Sequence, residues 1–320
     1  MATYVAILDI GHGNSAIIHD EERAIIIDAG PRDGILKYLT ENGISKIDAA
    51  ILSHADADHI GGLLNVIDSE KFEVGTVWLN TDSIKSTVIK DDLAWAIHRS
   101  STKLNTSLSP DSFDLIKIGS VQIDVLAPSA YLTSKGPGQK DRKGRQLTTN
   151  SISAIIRVSN EEENLVLFSG DVDEVGLENI KEDSIDIRSR ILVFPHHGGS
   201  SGHNTKQFTN DLLAEVKPDR VIFSIARTRF KNPSPEIVKT IRKFDKDIWI
   251  TCTQLSTHCS QKDISVQGAF VEKEISKGYQ KKHCCSGSIV IDVSQNLEVP
   301  DKQAHRAFVN KHVTSPLCVK

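Results

Sequence analysis

Apolar residues fall in short runs along this chain, and most runs stop at a small polar cluster. YVAILDI (4–10) and AIIIDAG (24–30) read as strands joined through a turn around His19–Glu22. Between residues 31 and 44, Ile35, Leu36 and Leu39 share one helical face, and Gly43 is a stop signal. DAAILS (48–53) is a short buried strand, GGLLNVI (61–67) opens a helix, and residues 84–100 carry a weaker helical period. FDLIKIGSVQIDVLAP (113–128) predicts a hairpin turning at Gly119 and Ser120, and residues 131–149 a polar loop. A second strand-rich half follows. SISAIIRVSNEEENLVLFSGD (151–171) is a hairpin, RILVFPHHGG (190–199) a strand ending in histidines, QFTNDLLAEV (207–216) a helix and RVIFSIA (220–226) a strand. SPEIVKTIRKF (234–244) is a helix with Ser234 placed to cap and Pro235 in the first turn. DIWITCTQ (247–254) and GSIVIDV (287–293) are further strands.

Strands with intervening helices, twice over, predict an α/β fold of two facing sheets with helices outside. No Pro/Gly/Ser linker divides the chain, so residues 1–294 are expected to form one domain. Residues 295–320 lose the periodicity and read as a C-terminal tail. The length of 320 residues suits this organisation, and 39% hydrophobic residues is ordinary for a globular core. A net charge of −4 does not announce a nucleic-acid binder, although a local patch is enough to make one. No apolar run approaches a membrane span, and the first residues lack a basic n-region, so no membrane partner is expected and a cytoplasmic location is. All five cysteines lie beyond residue 250, an odd count that argues for a reducing compartment. Cys252, Cys259, Cys284 and Cys285 read as small buried hydrophobes, with a structural zinc site as the alternative.

Chemistry gathers where strands stop. His54, Asp56, Asp58 and His59 of LSHADADHIGG (52–62) follow one strand, Asp171 a second, His196 and His197 a third, and Asp28 ends a fourth. Carboxylates and imidazoles at such spacing converge on metal ions, which cancel charges that would otherwise repel. His54 and Asp56 can reach one ion while Asp58 and His59 reach a second. Asp171 can bridge the two, and one histidine of the 196–197 pair can complete the set.

With LDIGHGNSAII (8–18), IIIDAG, LSHADADHIGG, NSISAIIRV (150–158), LVLFSGD, FPHHGGSSG (194–202), NPSPEIV (232–238) and HCCSGSIVI (283–291), the chain resembles the metallo-β-lactamase superfamily. Within it, residues 4–293 resemble the hydrolase domain of ComEC-type DNA-internalisation proteins and their stand-alone relatives. The resemblance implies a four-layer αββα sandwich with two divalent ions held on strand-end loops. It makes His54, Asp56, Asp58 and His59 the metal loop, with Asp58 also orienting the attacking water. It makes Asp171 the bridging carboxylate, His196 or His197 the last metal histidine, and Asp28 a support of the metal loop. His12, Asn232 and His283 fall at substrate-facing positions. The chain departs from the family pattern at Asp56, where histidine is common, and at His12, Asn14 and Asn232. Its only histidine between the metal loop and Asp171 is His98, while Asn150 takes the approximate place of a further ligand or substrate contact. Oxygen donors at Asp56 and Asn150 favour Mn²⁺, with Zn²⁺ retained as the alternative.

Such a pair of ions activates a hydroxide and clamps a phosphoryl oxygen. The expected activity is therefore metal-dependent phosphodiester hydrolysis, with DNA as the favoured substrate. Lys135, Lys140, Arg142, Lys143 and Arg145 in the 131–149 loop read as a strap over a nucleic-acid backbone, or else as a solvated basic loop. Arg227, Arg229 and Lys231 form a second basic run. A small-molecule esterase, lactonase or lactamase is one alternative. An effector subunit active with a protein partner, in a repair or anti-phage defence complex, is another.

Overall fold

In β1 (Tyr4–Ile7), Val5 and Ile7 face one way and Ala6 the other, yet all three are buried. A strand buried on both faces needs a layer on each side, and this requirement sets the architecture. The computed structural model describes residues 2–264 and 266–319.

The first half continues with β2 (Ser15–His19), β3 (Arg23–Ala29), α1 (Gly34–Glu41) and β4 (Lys46–Ile51). Then come α2 (Ala57–Ile60), α3 (Leu63–Ile67), β5 (Glu73–Trp78), α4 (Val88–Arg99) and β6 (Lys103–Asn105). The second half begins with β7 (Ile116–Ile118), β8 (Val121–Ala127), α5 (Ala130–Lys135), β9 (Ile155–Ser159), β10 (Asn164–Phe168) and α6 (Glu174–Glu182). It proceeds through β11 (Ile191–Val193), α7 (Thr205–Val216), β12 (Arg220–Phe223), α8 (Pro235–Phe244) and β13 (Trp249–Cys252). The chain then returns to the first sheet as β14 (Ile289–Asp292) and β15 (Leu297–Val299), and ends in α9 (Lys302–His312).

One sheet has the order β15-β14-β1-β2-β3-β4-β5-β6 and the other β13-β12-β11-β10-β9-β8-β7. Val5, Ile7, Ile18 and Ile25 of the first meet Ile123, Ile156, Val166 and Val193 of the second in the layer between them. On the outer face of the first sheet, Ala6, Ile17, Ile26 and Ile47 pack against Ile35, Leu39, Leu63 and Leu93 of α1, α3 and α4. On the outer face of the second, Leu167, Leu192 and Val221 pack against Leu177, Phe208, Leu212, Ile237 and Phe308 of α6 to α9. This is the expected four-layer sandwich. Each buried Leu, Ile or Phe contributes roughly 1.5–3 kcal/mol, so the three apolar layers hold the sheets rigidly for the loops they carry.

Several elements differ from the sequence reading. SAIIH forms its own strand, β2, so YVAI and RAIIIDA flank it rather than meet at a turn. The 131–149 stretch is not all loop, because Ser129 caps α5 by accepting from the Leu132 amide. The segment expected as a tail carries β15, paired with β14, and α9, whose Phe308 and Val309 are buried in the outer layer. Among the described residues, no helix is long and apolar enough to cross a membrane.

Strands β3, β4, β5 and β6 run parallel, as do β10, β11, β12 and β13. The loops after β3, β4, β10, β11 and β12 therefore leave the sandwich at common sheet ends. Ligand sites in open parallel sheets lie outside such carboxyl ends.

Candidate metal centre

His54 follows β4 after Leu52 and Ser53, and the chain then turns into α2 with Asp56 at its N-cap. The Asp56 side chain makes no capping hydrogen bond, so it is available elsewhere. The turn is held from two sides. The Asn14 amide donates to the Asp58 carbonyl (3.1 Å), and Gly13, at φ +122°, lies so close that a Cβ there would come within 2.3 Å of that oxygen. Only glycine fits.

Asp28, at the end of β3, anchors the metal loop. Its Oδ1 accepts from the Ser53 amide (2.7 Å), and its Oδ2 accepts from Ser53 Oγ (2.9 Å) and lies 2.7 Å from His59 Nδ1. That contact fixes the His59 ring and turns Nε2 towards Asp171 Oδ1, 3.6 Å away. Burial alone would lower the His59 pKa, but the Asp28 and Asp171 carboxylates outweigh it and hold the imidazole well above its ordinary value. His54 goes the other way: burial and the adjacent His59 charge push it well down.

Asp171 leaves β10 through Ser169 and Gly170. Its amide donates to Ser153 Oγ (3.0 Å), and its Oδ1 accepts from the His196 amide (2.9 Å). Burial would raise its carboxyl, yet the His59 and His197 imidazoles hold it well below the usual range. Asp58 behaves alike: burial opposes ionisation, while the adjacent His12 and His197 imidazoles overcome it.

The two histidines after β11 differ in role. His197 Nδ1 donates to the Ser224 carbonyl (2.9 Å), which presents Nε2 to Asp58 Oδ2 at 3.4 Å. His196 spends its Nε2 on the Val172 carbonyl (3.1 Å). His196 Nδ1 still lies 3.6 Å from Asp171 Oδ2, but of the doublet only His197 belongs to a group able to hold an ion among the described residues.

Two groups result, each able to hold an ion among the described residues: His54 with His59 and Asp171, and His12 with Asp58 and His197. The donors fit. His54 Nε2, His59 Nε2 and His197 Nε2 are buried and have no hydrogen-bond partner among the described residues. A buried unpaired nitrogen is costly unless something fills the gap. The imidazole–carboxylate gaps of 3.4 and 3.6 Å are too wide for good hydrogen bonds but match neighbouring ligands of one ion.

His12, expected to face substrate, lines a cavity, and its Nε2 stands 2.9 Å from Asp58 Oδ2 with its ring against His197 and Phe230. Asp56 lies 3.8 Å from His54 Nε2, but its other oxygen is held by the Lys85 ammonium. Asn150 opens a short turn beside the site with its Oδ1 buried and unpartnered among the described residues; neither ion-holding group includes it. Asn232 reaches back to the His196 carbonyl (3.4 Å) and so supports the histidine turn. His283 pairs with Asp263 (2.9 Å) and lines a cavity it shares with His12. His98 is exposed on α4, away from both groups.

The basic loop does not stand free. Arg145 is bound by Asp141, Glu178 and Glu182, Lys143 reaches Glu182 (2.7 Å), and Arg142 approaches Glu182 and Asp183 (both 3.8 Å). The expected strap is thus tied to α6, whose carboxylates lie some 35 residues downstream, beyond the reach of a local reading. The cysteines follow the apolar reading. Cys252, Cys259, Cys284 and Cys285 are buried, and neither ion-holding group contains a cysteine.

Three groups escaped the sequence reading. Lys85 is presented by Asp82, which accepts from the Lys85 amide (3.0 Å). Ser153 touches both His54 Nδ1 (3.3 Å) and the Asp171 amide. Asp9 is fully buried, which raises its carboxyl, and it accepts from Gln254 Nε2 (2.7 Å) and the Gly278 amide (3.0 Å). Only Asp9 left a trace in sequence, as a charge inside an apolar strand run.

Residues 8–86 match the sequence model of the Metallo-beta-lactamase superfamily, a span that includes Asp28 and the whole His54–His59 loop. That match covers the first part of the chain and marks its similarity to the superfamily. ComE operon protein 3 of Bacillus subtilis (strain 168) is 23% identical over 271 residues, 75% of this chain and 30% of that protein. The chain therefore spans under a third of that relative's length. Among solved structures, the metallo-beta-lactamase fold protein YhfI from Bacillus subtilis is similar at TM-score 0.48 and 15% identity, over 79% of this chain and 96% of that one. Tm1679, a metal-dependent hydrolase of the beta-lactamase superfamily, gives 0.46 and 17%, over 78% and 95%.

Proposed function

We propose that this domain is a metal-dependent phosphodiesterase, with DNA as the favoured substrate. The observation that carries the reading is the pair of adjoining groups, His54–His59–Asp171 and His12–Asp58–His197, with three buried imidazole nitrogens left unfilled. When bound, two divalent ions would supply Lewis acidity and bring the pKa of water towards neutrality. Asp171 stays ionised between the two groups and is the residue suited to span them. Asp58, kept as a carboxylate by His12 and His197, is placed to orient a water. Asp28 and the Ser224 carbonyl hold His59 and His197 in the orientations that keep Nε2 inward.

The two groups together offer four imidazoles and two carboxylates. Lys85 engages Asp56, so the oxygen-rich argument for Mn²⁺ loses its main residue, and this donor set suits Zn²⁺ as well as Mn²⁺. The buried thiols of Cys252, Cys284 and Cys285 support a reducing, cytoplasmic setting. A small-molecule hydrolase is the second reading, favoured by the ion pairs that occupy Arg142, Lys143 and Arg145. The deciding experiment incubates the purified chain with plasmid, linear and single-stranded DNA, RNA and a chromogenic small diester, in Mn²⁺, Mg²⁺ or Zn²⁺. Metal-dependent cleavage of the nucleic acids, absent in Asp171→Asn, supports the phosphodiesterase. Cleavage of carboxylic esters or lactams in the absence of any diester cleavage refutes it.

A further inference from the structure

We propose that a nucleic-acid strand is gripped by a basic cavity on the His12 side of the metal centre, not by the 131–149 loop. The proposal rests on the phosphodiesterase reading and names the surface that reading needs. A cavity of about 320 Å³ opens between the segment after β3, the turn after β12 and the chain around residues 273–283. Arg32, Lys37, Arg229, Lys273, Lys277 and Lys281 line it, against one carboxylate, Glu274. His12 lies in the same wall, and its Nε2 touches Asp58. The cavity therefore ends at the metal-holding groups.

These cations differ from those of the 131–149 loop. Arg32, Arg229, Lys273 and Lys281 are exposed and have no ion-pair partner among the described residues, while Lys37 and Lys277 both lean on Asp33 (3.1 and 3.9 Å). The four cations without such a partner repel each other around one opening and gain from a polyanion. The wall is also set in place. Asp9, buried beneath it, accepts from the Gly278 and Gly11 amides, and its own carbonyl accepts from the Lys277 amide (2.8 Å). Phosphates spaced along a strand fit such a row; a small neutral ester has no use for it. Among the described residues no Phe, Tyr or Trp lines the cavity, so it would hold backbone rather than stack bases.

The test measures binding apart from cleavage. The full chain, freed of metal with a chelator, is titrated into a fluorescein-labelled single-stranded DNA oligonucleotide at several salt concentrations. Each phosphate contact contributes about 0.7 to the slope of log affinity against log salt on a single strand. The triple variant Arg229→Ser, Lys273→Ser, Lys281→Ser is expected to lose about 2 from that slope and roughly ten-fold in affinity at low salt. Arg142→Ser with Lys143→Ser should change neither measurably, and unchanged melting curves confirm folding. Equal binding of RNA of the same sequence supports backbone recognition. An unchanged slope in the triple variant, or a loss as large in the loop variant, overturns the proposal. Normal binding without cleavage of any diester supports the proposal and defeats the phosphodiesterase reading instead.

Discussion

The metal loop and the 131–149 loop look alike as sequence, since each packs charged residues into a short stretch after an apolar run. In the folded chain they are opposites. Around Arg145 every charge is answered: Asp141, Glu178 and Glu182 close on it, and Lys143 adds to the same network. Around Asp171 the account is left open: His54, His59 and His197 each present a buried nitrogen that has no hydrogen-bond partner among the described residues, although carboxylates stand 3.4–3.8 Å away. A closed charge cluster is structure, and an open one has the donor set of a candidate cation site. Protonation tells the same story. Burial would lower the pKa of the His59 imidazole, and two carboxylates instead hold it well above its ordinary value.

The sharpest way to break this comparison is Asp171→Asn. It keeps the oxygen that accepts from the His196 amide but removes the charge. Hydrolysis should fall by at least about 10²-fold, while the melting temperature of the metal-free protein holds steady. A drop in melting temperature with activity preserved would make the cluster structural. Next in size is Asp28→Asn, which disturbs the hydrogen bond that orients His59. Metal affinity, read by calorimetric titration, should weaken about 10–100-fold. An unaltered affinity would remove Asp28 from its supporting role.

What the sequence disclosed follows from the range of each interaction. The four layers were legible because short apolar runs such as YVAI and AIIIDA, and apolar faces such as Ile35–Leu39, are local patterns that report burial directly. His54, Asp58, His59, Asp171 and the histidine doublet were legible because each sits where such a pattern stops. The different settings of His196 and His197 were not, since that of His197 depends on the Ser224 carbonyl, 27 residues away. The His12–Asp58 contact, the Lys85–Asp56 pair and the ties from Arg145 to α6 cross between elements, and no periodicity encodes them. The helix α9 was missed for a different reason. Its buried face is only His305, Phe308 and Val309, too sparse among charged neighbours to register as a period.

Lys85 offers a finer adjustment of the comparison, because it is the one cation already seated beside the open cluster. Lys85→Met should release Asp56 and tighten binding of the first ion by roughly five-fold, the worth of about 1 kcal/mol between unit charges near 4 Å in a solvent-like medium. Weaker binding in this variant would mean that Lys85 helps to shape the site rather than compete for it.

The smallest effect belongs to the closed cluster. Arg145→Ala removes the centre of a partly exposed network, and such networks contribute modestly because water already screens them. Loss of about 1 kcal/mol is expected, lowering the melting temperature by about 2 °C in a chain of this size. Cleavage of DNA and of the small diester should both stay within about two-fold of the unaltered chain, since the ion pairs leave Arg145 no charge to offer a phosphate. A selective loss on DNA, with the small diester untouched, would show that the network opens to admit substrate and that the two loops are less different than their resting contacts make them.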